Sequence, residues 1–221
     1  MSGAVCSNTL TPRTFSTINA PFPSVREYEL PAFKADLPKL KISLKNTVVS
    51  LWIGTNDLGG DAILDHSQLP GVTIVDFSSC VFEVLKKLHA LGARHFVLQN
   101  VAPIYLAPLY TDLAHGGSTG PNRFWLGRGD NATDNMVSMK DNVLAVNEIW
   151  KYRSAAAVKE QLPGAKLAYF DSHSLLSDIY NSPAKYLNGS LPLDVTGYND
   201  HCDENWNNCK LDRGVERGEG G

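Results

Sequence analysis

Val48-Val-Ser-Leu-Trp-Ile-Gly-Thr-Asn-Asp-Leu58 is the stretch that decides the fold of this chain. Five of the six residues from Val48 to Ile53 are apolar, the pattern of a parallel strand covered on both faces. The strand runs directly into a small polar turn, Gly54-Thr55-Asn56-Asp57. Open α/β sheets place their chemistry at the carboxyl ends of strands, where such a turn falls. An Asn amide there can donate to a developing oxyanion, and Gly54 lets the backbone approach closely.

Working outward, Thr73–Leu91 reads as a helix. Phe77, Val81, Val84, Leu85 and Leu88 form one stripe at helical spacing, and Gly92 supplies a stop. His95–Val101 is a second apolar strand, and a long loop follows to about Asn131. Asn131–Leu162 reads as a long helix with Met136, Met139, Val143, Val146 and Trp150 facing inward, closed by Pro163-Gly164. Ala165–Phe170 is a third strand, and Ser174–Tyr180 a short helix. Alternation of this kind predicts a parallel sheet joined by helical crossovers. Residues 1–47 read as irregular, with one short helix around Phe33–Leu40. The segment from Lys210 to Gly221 is charged and Gly-rich without an apolar pattern, and reads as a disordered tail.

Composition excludes several classes. With 221 residues and 43% hydrophobic content the chain can build a core. A net charge of -3 with 19% charged residues points away from nucleic acid, and no apolar run approaches the ~18 residues of a membrane span. The lysines at 34, 39, 41 and 45 alternate with apolar residues, as on a solvated amphipathic face. His66, His89 and His95 lack ligand spacing, so no metal site is indicated and no cofactor is implied. Two sequons, Asn131-Ala-Thr133 and Asn188-Gly-Ser190, suggest glycosylation at Asn131 and Asn188 and hence secretion. The opening Met1-Ser-Gly-Ala carries no signal-peptide pattern, in conflict with that reading. Four cysteines permit disulfides in three pairings. Cys202 and Cys209 flank a polar segment suited to a local bridge, and Cys80, inside a helical pattern, reads as a buried inert thiol.

The order of segments resembles the SGNH/GDSL hydrolases and, within them, the fungal carbohydrate esterases of family 16, the acetylesterases. The resemblance covers about residues 2–209. It rests on SGAVCSN (Ser2–Asn8), LWIGTNDLG (Leu51–Gly59), LGARHFVLQNVAPIYLAPLY (Leu91–Tyr110), YLNGSLPLDVTGY (Tyr186–Tyr198) and HCDENWNNC (His201–Cys209). It implies a flavodoxin-like three-layer α/β/α fold with a parallel sheet and a serine mechanism of ester hydrolysis. In that family a GDS serine is the nucleophile, a Gly main chain and the GxND Asn form the oxyanion hole, and a late DxxH supplies the base. The matching positions here are Gly3 and Asn56, with Gly54 and Asp57 in the same turn.

This sequence contains no GDS, and Asp212 is followed three residues later by Val215 rather than His. The string Asp112-Leu-Ala-His115 falls after the second strand, where the family shows no base. The resemblance thus implies a partial SGNH domain over 1–209, incomplete at both ends, with no nucleophile or base of its own. The expected substrates are small acetylated carbohydrates or other esters, with neither nucleic acid nor membrane as partner. The alternative is a catalytically dead pseudo-enzyme that binds glycans. Trp125, Trp52 and Tyr110 offer faces suited to a pyranose ring, with core packing the favoured reading of each.

Overall fold

The computed structural model describes residues 4–15, 20–117, 120–122, 124–189, 193–196, 200–201 and 210–211. The amino-terminal third is more ordered than its Thr-, Pro- and Ser-rich composition suggests. Two short strands, β1 (Thr14–Phe15) and β2 (Ala20–Pro21), pair antiparallel. The Ser24 hydroxyl then accepts the Glu27 N–H at 3.1 Å and opens a π-helix over Val25–Glu29. This turn runs on into α1 (Leu30–Leu40), so the helix expected at Phe33–Leu40 starts earlier. Pro31 lies in its first turn, where a missing N–H is harmless, and Lys41 ends it at a φ of 52°.

The central elements form as their apolar periodicities dictate. Strand β3 (Val48–Trp52) leads into the short helix α2 (Thr55–Leu58). Helix α3 (Ile74–Ala90) begins with a reciprocal capping box between Thr73 and Asp76. Strand β4 (His95–Gln99), helix α4 (Ala132–Glu160), strand β5 (Lys166–Phe170) and helix α5 (Ser172–Asn181) follow. The three strands make a parallel sheet in the order β3-β4-β5, with Leu51, Leu98 and Tyr169 in one row. Asp200–His201 (β6) pairs with Lys210–Leu211 (β7), while residues 202–209 and 212–221 lie outside the described residues. The arrangement is an α/β fold built on a parallel sheet, consistent with a three-layer α/β architecture.

One face of the sheet packs on α3 and α4. The stripes read from the sequence are buried there: Phe77, Val81, Val84, Leu85 and Leu88 on α3, and Met139, Val143, Val146 and Trp150 on α4. The Phe77 and Trp150 rings meet at 5.6 Å between centroids, and the buried Trp150 indole N–H donates to the Ser78 hydroxyl at 3.2 Å. Tyr169 donates its hydroxyl to the Asn147 carbonyl of α4 at 2.9 Å, which marks this face on β5. Residues of alternate register point the other way, and there Val48 is 62%, Trp52 53% and Phe170 44% exposed. The favoured core reading of Trp52 therefore fails. Its indole lies on the open face and donates to the Asn100 carbonyl at 3.0 Å. Trp125 and Tyr110 are buried, as that reading has it for them.

Cys80 is not a free thiol. It is joined to Cys6 across a sequence separation of 74, which ties the first described residues to the core side of α3. Its helical, apolar surroundings are compatible with either state, so periodicity alone does not distinguish them. A loop of that length stabilises the fold by roughly 4 kcal/mol in the chain-entropy account.

Candidate functional site

The turn after β3 carries the candidate site. Gly54 has a φ of 127°, and a Cβ there would sit 2.8 Å from Val101 Cγ2, so glycine is required on both counts. This conformation starts α2 and sets Asn56 and Asp57 on successive positions of a tight helical turn. Each then grips the segment that follows Gly3. Asn56 Nδ2 donates to the Ala4 carbonyl at 2.9 Å. Asp57 Oδ1 accepts the Cys6 N–H at 2.8 Å. Between them, Val5 donates to the Pro23 carbonyl and accepts from the Val25 N–H, and Cys6 is bonded to Cys80. Residues 4–6 are thus fixed from three sides. Gly3 itself lies outside the described residues.

A cleft of about 590 Å³ opens beside this turn, lined by Ala4, Glu29, Ser50, Trp52, Gly54 and Asn56 among others. It follows the edge of β3 that β4 leaves free. Asn56 has one face of its amide on Arg13, whose Nη1 donates to Asn56 Oδ1 at 3.3 Å and to its main-chain oxygen at 3.4 Å. With Oδ1 occupied by a cation, Nδ2 is the group turned to Ala4. A primary amide has two N–H bonds, and Ala4 takes one of them.

Asp57 is a different kind of residue. It is 1% exposed, and its Oδ2 has no hydrogen-bond partner. Burial pushes its carboxyl up to about 7, against the opposing pull of the Cys6 N–H and of Arg13. Its role is to hold Cys6, and through that bond the start of the described chain.

A second polar cluster sits where β4 and β5 end. Asn100 Nδ2 donates to Asp171 Oδ1 at 2.7 Å, and Asn100 Oδ1 accepts from the Ser172 hydroxyl at 2.9 Å and the His173 N–H at 2.8 Å. Tyr105 and His173 Nε2 share a hydrogen bond of 3.0 Å. Asp171 also caps α5 through the Ser174 N–H. The Asp112–His115 pair does form, at 2.6 Å between Oδ1 and Nδ1, on an exposed 3-10 turn that Asp112 caps. That bond belongs to the turn.

Of the residues singled out from the sequence, Gly54 and Asn56 line the cleft, and Asp57 is buried in the same turn. Asn131 caps α4 by accepting the Asp134 N–H at 3.1 Å, and both Asn131 and Asn188 are exposed. Cys202 and Cys209 lie outside the described residues. Sequence reasoning missed Arg13 and the Cys6 bond. An isolated Arg in a Thr- and Pro-rich stretch has no local pattern to mark it, and an even cysteine count leaves the pairing open.

A polar turn at the carboxyl end of a parallel strand, beside a cleft, is where open α/β sheets bind ligands. The comparisons narrow this class. No family model matches the chain. It is 39% identical over 216 residues to an acetylesterase of Hypocrea jecorina, covering 95% of this chain and 61% of that protein. It is 27% identical over 150 residues to GDSL esterase/lipase EXL6 of Arabidopsis thaliana, covering 67% of this chain and 40% of that protein. The chain is a relative of the SGNH/GDSL esterases, and it spans about three fifths of the acetylesterase it matches.

Proposed function

We propose that this chain is part of a secreted SGNH-type ester hydrolase that removes acetyl groups from sugars or hemicellulose fragments, and that alone it is idle. One observation carries the reading: Asn56 lines a cleft and its Nδ2 donates to the Ala4 carbonyl, which lines the same cleft. Asn56 Nδ2, with the Gly3 N–H that the family resemblance adds as a second donor, would stabilise the tetrahedral oxyanion of ester hydrolysis. Gly54 shapes the turn and Asp57 anchors it. The sequence offers neither a GDS serine nor a late DxxH base, so the attacking hydroxyl and its base would come from outside these 221 residues.

A partial SGNH domain over 1–209 is supported by two features. The acetylesterase relative is longer by about two fifths of its length. The β3-β4-β5 sheet presents an uncovered apolar face, with Val48, Trp52 and Phe170 exposed, where parallel sheets are ordinarily covered on both sides. Secretion is supported by exposed sequon asparagines at 131 and 188, and by the Cys6–Cys80 disulfide, a bond of oxidising compartments.

The test has two arms. The 221-residue chain alone should leave a chromogenic acetyl ester unhydrolysed, and enzyme-grade turnover would refute its idleness. A chimera that supplies the uncovered segments of the Hypocrea jecorina acetylesterase around this chain should hydrolyse the ester. In that chimera Asn56→Ala should lower kcat by about 10²–10³. A folded chimera without turnover would end the esterase reading.

A further inference from the structure

Behind the Asn56 amide lies a buried cation that the esterase reading has not used. Arg13 is 7% exposed. Besides its two bonds to Asn56, its Nη2 donates to the Phe124 carbonyl at 3.2 Å, and its guanidinium carbon stands 5.0 Å from the centre of the Phe22 ring. A guanidinium cannot shed its proton in a protein. Yet among the described residues no carboxylate lies within ion-pair distance of it: its hydrogen bonds go to neutral oxygens. Asp57 and Asp61 feel its charge from further off, and burial raises the carboxyls of both. A buried charge without a carboxylate at ion-pair distance is costly, so what its hydrogen bonds hold matters.

The geometry indicates what the Arg13 charge acts on. A side-chain amide has two orientations that differ by exchange of O and N. As built, Oδ1 meets the guanidinium and Nδ2 meets the Ala4 carbonyl. The flipped amide would set N–H against N–H on the Arg13 side and oxygen against oxygen on the Ala4 side. Both bonds would be lost, and like poles would repel at each end of the amide. A cation on the amide oxygen also draws electron density from nitrogen and makes the remaining N–H a better donor to an anion.

We infer that Arg13 is a positioning residue that locks the Asn56 amide with its N–H side toward Ala4 and polarises it for an oxyanion. This rests on the reading of Asn56 as a donor to the reacting ester. It makes Arg13 one layer behind the reacting atoms, in contact with Asn56 alone among the groups assigned to the cleft.

The test is spectroscopic and uses the 221-residue chain labelled with ¹⁵N. The Asn56 side-chain amide pair is identified by its loss in Asn56→Asp. In the wild-type chain its protons should show nuclear Overhauser contacts to Ala4, and wild-type contacts that instead place Oδ1 against Ala4 overturn the inference outright. In Arg13→Met those contacts should be lost, while Arg13→Lys, which keeps a cation and a donor, should restore them. Main-chain resonances of α3 and α4 report whether each variant is folded. If the methionine variant does not fold, Arg13→Gln serves: it keeps a donor without charge, and its Asn56 amide protons should move upfield. An amide with the same contacts and resonances in wild type and a folded neutral variant refutes the role of Arg13. Ester turnover is read in none of these arms, so Arg13 can fail here while the esterase reading stands, and the reverse.

Discussion

Two polar clusters cap the carboxyl ends of the same parallel sheet, and they are finished differently. At β4 and β5 every group finds a partner. Asn100 uses both ends of its amide, and its carbonyl accepts from Ser172 at 2.6 Å and from the Trp52 indole at 3.0 Å. Burial works to raise the Asp171 carboxyl, but bonds from Ser174 and Asn100 outweigh it and hold that carboxyl below its ordinary range. At β3 the groups are left open. Asp57 keeps one oxygen without a partner and sits near 7, and Arg13 has no carboxylate within ion-pair distance among the described residues. Buried polar groups in folded proteins are nearly always satisfied, so an unsatisfied set marks strain or function. The first cluster braces the fold. The second is the one to which the proposed oxyanion donor belongs.

That contrast can be broken most directly at the covalent clamp on the open cluster. Replacing both Cys6 and Cys80 by Ser should lower folding stability by about 4 kcal/mol, read from urea midpoints. Native-state hydrogen exchange should locate the loosening at residues 4–6 rather than at Asn100. A loss below about 1 kcal/mol would mean that Asp57 and the Val5 pairing hold the segment unaided.

Asp57 gives the second test, of similar size but gated by pH. Its folded pKa of about 7 lies above the ordinary carboxylate value of 3.8. The unfolded chain therefore releases the proton first as pH rises. The stability tied to Asp57 is intact below pH 4 and declines up to about pH 7, where the loss levels off at about 4 kcal/mol. Asp57→Asn keeps an oxygen for the Cys6 N–H and cannot ionise. Wild type minus variant stability, measured from pH 4 to 8, should trace that decline. A flat difference would show that Asp57 is already charged and compensated when folded.

How far the sequence foretold this arrangement differs between the two clusters and between fold and site. The apolar stripes of α3 and α4 and the runs of β3, β4 and β5 were legible because burial leaves a periodic trace. The GxND turn was legible because Gly54, Asn56 and Asp57 lie within four positions of the chain. Arg13 meets Asn56 from 43 positions away, and Cys6 meets Cys80 from 74, pairings that no local pattern encodes. The Asn100 brace has the same cause: its partners lie 71–73 residues on, at the end of β5. Trp52 misled because an apolar run reads as covered on both faces, and its face of the sheet is open.

The satisfied cluster should answer mutation as a brace does. Asn100→Ala strips a partner from Asp171 and the His173 N–H at once, while Ser172 keeps the main-chain oxygen at 100, with Asn100 itself 3% exposed. A loss of about 2 kcal/mol is expected, chiefly from the His173 N–H left unpaired, measured by thermal or urea unfolding. Asn56→Ala, which frees only the Ala4 carbonyl and one Arg13 bond, should lose about 1 kcal/mol. Equal losses would erase the distinction between the two ends of the sheet.

The smallest effect concerns His173, and its sign is opposite to that of Asp57. Burial lowers its pKa, against the pull of the Asp171 carboxylate and with a smaller push from Lys140. The folded chain thus binds a proton less readily than the unfolded chain, whose imidazole titrates near 6.5. Stability tied to His173 is present above pH 6.5 and lost as pH falls toward the lower folded value. His173 is only half-buried, so the change is modest. His173→Gln retains a polar partner for the Tyr105 hydroxyl and should flatten this acid-side fall while leaving the neutral-pH midpoint nearly unchanged. The two titrations then separate the clusters by direction: the open one weakens as protons leave, the closed one as they arrive. If His173→Gln instead steepened the acid-side fall, the imidazole would be stabilised in its charged form by Asp171, and the closed cluster would be an ion pair rather than a neutral brace.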